Sequence, residues 1–109
     1  MKFKDLKMQE FEGVEKKHYG SDLVPNPVHG SYDLPNNCWV SVVRHKFSYG
    51  GEQGMYEIGF FSHLVMRAPD LEDWGDTVKG WLSEDKVELE INRLEKHLKT
   101  DSLHFKQLW

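Results

Sequence analysis

The chain has 109 residues, of which 39% are apolar, 13% aromatic and 29% charged, with a net charge of −4 and a pI near 5.8. That length supports one hydrophobic core in a single domain, residues 1–109, without disulfides or metal, and the aromatic content excludes wholesale disorder. The acidic balance counts against nucleic acid as a partner, no apolar run approaches the roughly 20 residues that span a bilayer, and the lone Cys38 can close no intrachain disulfide.

Residues 1–22 alternate loosely. Phe3, Leu6, Met8 and Phe11 precede Gly13, and Val14 to Tyr19 precede Gly20, a pattern that predicts one or two short strands. The N-terminus carries charges throughout and lacks the apolar core of a signal peptide, so a cytosolic location is expected. Residues 23–37 hold three of the four prolines, together with Gly30 and three asparagines, and read as a long loop.

Two β-type runs follow, Trp39 to Phe47 and Met55 to Phe61, joined by a glycine-rich connection. Alternation places Cys38, Val40 and Val42 on one face of the first run and Trp39, Ser41 and Val43 on the other. It likewise sets Tyr56, Ile58 and Phe60 against Met55, Glu57 and Phe61. Apolar residues on both faces suit central strands. Gly50, Gly51 and Gly54 supply the positive φ of a chain reversal. A phosphate-cradling loop would place such glycines before a helix N-terminus, whereas here a strand follows and no Lys-Ser or Lys-Thr comes directly after the glycines.

Beyond the hairpin, Arg67 to Asp70 reads as a break, Asp70 to Asp76 as an acidic turn, and Thr77 to Leu82 as one short helical turn carrying Val78, Trp81 and Leu82. Ser83 is a good N-cap, and Glu84 and Asp85 suit the positive end of a helix dipole. Val87, Ile91, Leu94 and Leu98 form one stripe, which predicts a helix over 84–99 packed on the apolar face of the hairpin. The tail, with Leu103, Phe105, Leu108 and Trp109, is too apolar for a solvated terminus and is expected to pack on the domain or dock on a partner. The fold expected is α+β: a small antiparallel sheet of about three or four strands, a β-meander, covered by a C-terminal helix.

No catalytic constellation emerges, and no enzyme is expected. The six histidines, His18, His29, His45, His63, His97 and His104, show neither i, i+4 pairing nor Cys/His spacing, so neither a metal nor another cofactor is expected. Ser41 and Ser48 lack a nucleophile-elbow context. Glu57 is the one acid within a predicted strand, and Cys38 beside Trp39 reads as a packed thiol.

Charge carries the functional content. From Asp70 to Glu95 nine acids face three bases, giving 3 − 9 = −6, so the rest of the chain carries +2. Such a segment attracts a basic surface, and tryptophan is enriched in binding hot spots. The candidate binding residues are therefore Asp70, Glu72, Asp73, Trp74, Asp76 and Trp81, the competing reading being that the acids are a solvated face and the tryptophans core. The alternative function is a nucleic-acid-binding accessory protein using Lys2, Lys4, Lys7, Lys16, Lys17, Arg44, His45 and Lys46, with Tyr49 stacking on a sheet face.

Val40-Ser-Val-Val-Arg44, Ser48-Tyr-Gly-Gly with Gly54-Met-Tyr-Glu57, and Asp76-Thr-Val with Gly80-Trp-Leu-Ser-Glu-Asp-Lys-Val87 together resemble a group of short, uncharacterised phage and prophage proteins. The likeness covers about residues 38–95 and leaves out the Pro/Asn-rich loop and the tail. It implies a phage source and a host cytoplasm and transfers no catalytic residue. Together these readings give a non-catalytic interaction module that binds a host or phage protein through an acidic surface, with no membrane partner. Free strand edges also permit a homodimer.

Overall fold

The computed structural model describes residues 1–71 and 73–108, with side chains up to residue 100. In chain order the elements are β1 (Gln9–Glu10), α1 (Gly13–Tyr19), β2 (Val28–Leu34), β3 (Cys38–Arg44), β4 (Tyr56–Ser62), β5 (Val65–Met66), β6 (Val78–Leu82) and α2 (Glu84–Leu108). One-turn 3-10 helices add Phe3–Leu6 and Gly51–Gln53.

All six strands form one antiparallel sheet, ordered β1-β2-β3-β4-β5, with β6 pairing the first half of β4 on the edge that β5 occupies further along. This is the expected α+β class, an antiparallel sheet with a C-terminal helix, but with six strands instead of three or four. β3 and β4 are central, with Val40 opposite Phe60 and Val42 opposite Ile58. The face that alternation assigned to Cys38, Val40, Val42, Tyr56, Ile58 and Phe60 is the buried one, and α2 covers it with Val87, Ile91 and Leu94. Ser83 caps α2, its Oγ accepting from the Lys86 amide at 3.3 Å.

The N-terminal segment fills the rest of that face. Its first residues run beside α2, where the Met1 ammonium donates to Asn92 Oδ1 at 2.7 Å and the Phe3 amide donates to Glu88 Oε1 at 2.6 Å. Leu6 and Met8 lie over β2 at Gly30, where a Cβ would come within 2.6 Å of the Met8 sulfur.

Four sequence expectations change. Residues 28–34 form a full strand inside the expected loop, because Pro27 and Pro35 flank the strand without interrupting its ladder, and Asn36 and Asn37 take positive φ (64° and 58°) in a tight turn to β3. Residues 13–19 form a helix instead of a strand, with no buried residue of its own. Residues 78–82 pair with β4 as a strand, not a helical turn, with an irregularity opposite Tyr56 and Ile58 that rotates Trp81 out of the ladder's alternation. The last helix runs nine residues beyond its expected end, while the side chains of the apolar tail lie outside those described.

The opposite sheet face is turned away from α2, and the end of α1 approaches it at β2, where Phe11 stacks on Tyr19 and lies 4.5 Å from the His29 ring. On the same face Trp39 stacks on its cross-strand partner Phe61 at 4.0 Å and 5°, and Met66 and Val78 crowd over Gly59, where a Cβ would lie 3.0 Å from the Met66 methyl.

Candidate functional site

The acidic segment divides into structural and exposed parts. Trp74, a candidate binding residue with a core position as the competing reading, is 4% exposed, and its indole N–H donates to Glu90 Oε2 at 2.9 Å. Glu90 is itself buried and also receives Lys79 Nζ at 3.0 Å and Arg93 Nη1 at 2.9 Å. Asp73 closes the cluster, accepting from both nitrogens of the Arg93 fork at 2.8 Å and from Lys79 at 2.8 Å. The Arg93 and Lys79 hydrogen bonds hold the Asp73 carboxyl well below the usual carboxylate range. Burial opposes charge on Lys79, yet its bonds to Asp73 and Glu90 outweigh this and raise its pKa.

Two acids and two bases thus neutralise one another and tie the segment to α2. Asp73 and Trp74 are structural in this arrangement, because their charge and indole are spent internally. Asp70 and Asp76 are exposed, with Asp76 Oδ1 accepting from the Thr77 amide at 2.6 Å, and Glu72 lies outside the described residues.

Trp81 is the one aromatic of the expected set that reaches solvent. It is 59% exposed, stacks on Tyr49 (53% exposed) at 5.3 Å and 23°, and holds positive φ (53°), an uncommon state for a bulky residue. The backbone fixes this pair. The Trp81 amide donates to the Tyr49 carbonyl at 3.1 Å, and the Tyr49 amide donates to Glu57 Oε1 at 3.0 Å. A Cβ on Gly80 would fall 2.3 Å from Tyr49 Cβ, and one on Gly50 2.8 Å from Trp81 Cα, so only glycine permits the two segments to approach this closely. Burial pushes the Glu57 carboxyl up, against the stabilising Tyr49 N–H.

Phe47 and Met55, both exposed, belong to the same loop as Tyr49. The sequence named Trp81 for its type and neighbours, but not Tyr49 as its partner. The missing signal was the pairing of β4 with β6, which brings residues 32 positions apart into contact.

The basic residues of the alternative reading come from three segments, of which two adjoin: the ring of Tyr19, at the end of α1, lies 4.9 Å from that of His45, and the Lys46 amide donates to the Tyr19 carbonyl at 2.9 Å. Lys2, Lys4 and Lys7 belong to the N-terminal segment, with Lys7 lining a cleft beside Ser31, Trp39 and Ser41, while Lys16 and Lys17 lie on α1. Arg44 is engaged by the Tyr56 hydroxyl at 3.1 Å, and Lys46 sits over the Phe47 ring at 4.9 Å. Tyr49 stands in the β3–β4 connection, not on a sheet face. The face turned away from α2 carries Asp33 and Glu57 and no Lys or Arg from β2, β3 or β4.

Other chemistry is sparse. A cleft of about 660 Å³ is lined by Asp33, Leu34, Asn37, Cys38, Trp39, His63 and Leu64. Ser62 Oγ and His63 Nδ1 are 3.0 Å apart beside it, but among the described residues no carboxylate hydrogen-bonds His63 to orient it as a base. Cys38 is buried, its thiol directed at the Asn36 carbonyl at 3.5 Å. Among the described residues no cluster of His, Cys, Asp or Glu is arranged to hold a metal, and no helix is long and apolar enough to cross a membrane. Comparisons with family models, with curated proteins and with solved structures gave no match.

Proposed function

We propose that this chain is a non-catalytic protein-interaction module that docks on another protein through the Tyr49–Trp81 surface. The observation that supports it most directly is the geometry of Trp81: a large aromatic side chain, more than half exposed, on a backbone conformation that disfavours it. Folding alone would favour glycine or asparagine there, and residues kept in such conformations cluster at ligand clamps and binding sites. Rigid aromatic side chains also supply contact area at low entropic cost.

This reading moves the expected surface away from the centre of the acidic segment. Trp74 is buried in the core and Asp73 is paired with Arg93 and Lys79, whereas Trp81 with Tyr49 meets the partner. The resemblance to short phage proteins supports a host or phage protein as that partner, in a host cytoplasm.

Affinity capture from bacterial lysate after nuclease treatment tests the proposal, comparing the native chain with a Tyr49→Ala/Trp81→Ala variant. Both side chains are exposed, so the variant is expected to fold, which circular dichroism checks. A protein enriched by the native chain and lost from the variant is the expected result. Identical capture by both would refute it.

A further inference from the structure

The partner's chemistry can be narrowed, on the premise that the Tyr49–Trp81 surface is a docking site. The two segments that frame the pair are residues 47–57 and 80–85. They carry Glu52, Glu57, Glu84 and Asp85, and neither contains a Lys or Arg. Glu52, Glu84 and Asp85 are exposed, and Glu57 is bonded to the Tyr49 amide.

Three of the cations that border these segments are engaged by other side chains. Arg44 is held by the Tyr56 hydroxyl and stands over the Tyr56 ring at 5.1 Å. Lys79, two residues before Trp81, is committed to Asp73 and Glu90. Lys46 lies over the Phe47 ring at 4.9 Å, and Lys86 on the first turn of α2 is exposed beside these four acids.

We infer that this surface receives an arginine or lysine side chain from a basic segment of the partner protein. The cation would stack on the Trp81 and Tyr49 faces while Glu84 and Asp85 offset its charge. Indole is the strongest of the aromatic faces for a cation, and guanidinium is the more frequent guest. A nucleic acid would also stack on an exposed ring, but its phosphates would meet four carboxylates here, with Lys86 as the exposed base to offset them.

The test titrates the full chain with three fluorescent probes: an Arg-Gly repeat peptide, a Gln-Gly repeat peptide of equal length, and a single-stranded oligonucleotide, each at low and high salt. The Arg-Gly peptide is expected to bind about tenfold more tightly than the Gln-Gly peptide. Trp81→Leu, which keeps a side chain at the same backbone conformation, should abolish that preference. Glu84→Gln with Asp85→Asn should weaken Arg-Gly binding and flatten its salt dependence.

Equal affinity for the two peptides, with both lost in Trp81→Leu, would overturn the cationic guest and leave the docking surface standing. Tighter binding of the oligonucleotide, or no peptide binding by the folded chain, would overturn the inference. If capture from lysate were also unaffected by loss of Tyr49 and Trp81, the docking surface would fall with it.

Discussion

Removing the Glu90 carboxylate should cost far more than removing that of Asp73, although the two share both cationic partners. Glu90 is 5% exposed and accepts from Trp74, Lys79 and Arg93, so Glu90→Ala leaves a buried indole N–H and two partly buried cations without their common acceptor. Breaking a buried ion pair costs about 3–5 kcal/mol, and an orphaned N–H adds to it. Lys79 and Arg93 keep Asp73 and some access to water, which places the loss at the lower end, about 3 kcal/mol. At roughly 4 °C per kcal/mol for a chain of this size, Tm should fall by about 12 °C. Asp73, with half its side chain in water, is a screened surface partner, and Asp73→Asn should shift Tm only slightly. Thermal melts and urea titrations of both variants at low and high salt measure this. The Glu90 deficit should persist in high salt. Equal losses for the two variants, or a Glu90→Ala loss below about 1 kcal/mol, would refute the division into a buried hub and a screened cap.

Three further outcomes follow from particular positions. Leu64 is 89% exposed at φ 68°, so Leu64→Gly should raise stability by about 0.5 kcal/mol, the relief of left-handed strain less the entropy of glycine; a lowered urea midpoint would count against that backbone. Gly80→Ala would drive a Cβ into Tyr49 and should cost about 2 kcal/mol and weaken capture of the partner, which urea titration and affinity capture read together. Burial first, and then the neighbouring His18, lower the His45 pKa from 6.5. The unfolded chain therefore takes up this proton first, so stability is full above pH 6.5 and falls as pH drops through 6.5 toward the lower folded value. Urea midpoints across that window should slope less in His45→Gln, and an unchanged slope would show that another group carries it.

What the sequence made legible was whatever repeats at the period of one element. The alternation in residues 38–43 and 55–61 separated the two faces of β3 and β4 without showing which of them is buried, and the four–three–four spacing of Val87, Ile91, Leu94 and Leu98 assigned the stripe of α2. β2 stayed hidden because its own alternation, Val28, Tyr32 and Leu34, is interrupted at Gly30, where the N-terminal segment takes the space of a side chain. Its prolines stand at the ends of the strand, where composition reads as loop although no ladder bond is lost. β6 misled in a more instructive way. Val78, Trp81 and Leu82 have helical spacing, but the spacing arises from a strand whose irregularity turns Trp81 outward, so a bulge imitated a helical turn.

The same distinction explains why Trp74 and Trp81, seven residues apart in one acidic segment, were indistinguishable as sequence. Trp74 is fixed by a hydrogen bond to a residue 16 positions away, and Trp81 by a glycine contact with the β3–β4 connection. Neither relation has a local period. Burial of Trp74 satisfies its one polar atom and adds its area to the core, so selection for folding suffices to retain it. Trp81 buries less than half of itself and holds a costly φ, so folding gives no reason for an indole there. The glycines that hold it against Tyr49 fix the geometry of the exposed pair, which in the proposed docking role would lower the entropy lost on binding. That fixed geometry, rather than the net charge of the segment, is the property that sets this surface apart from the solvated acids around it.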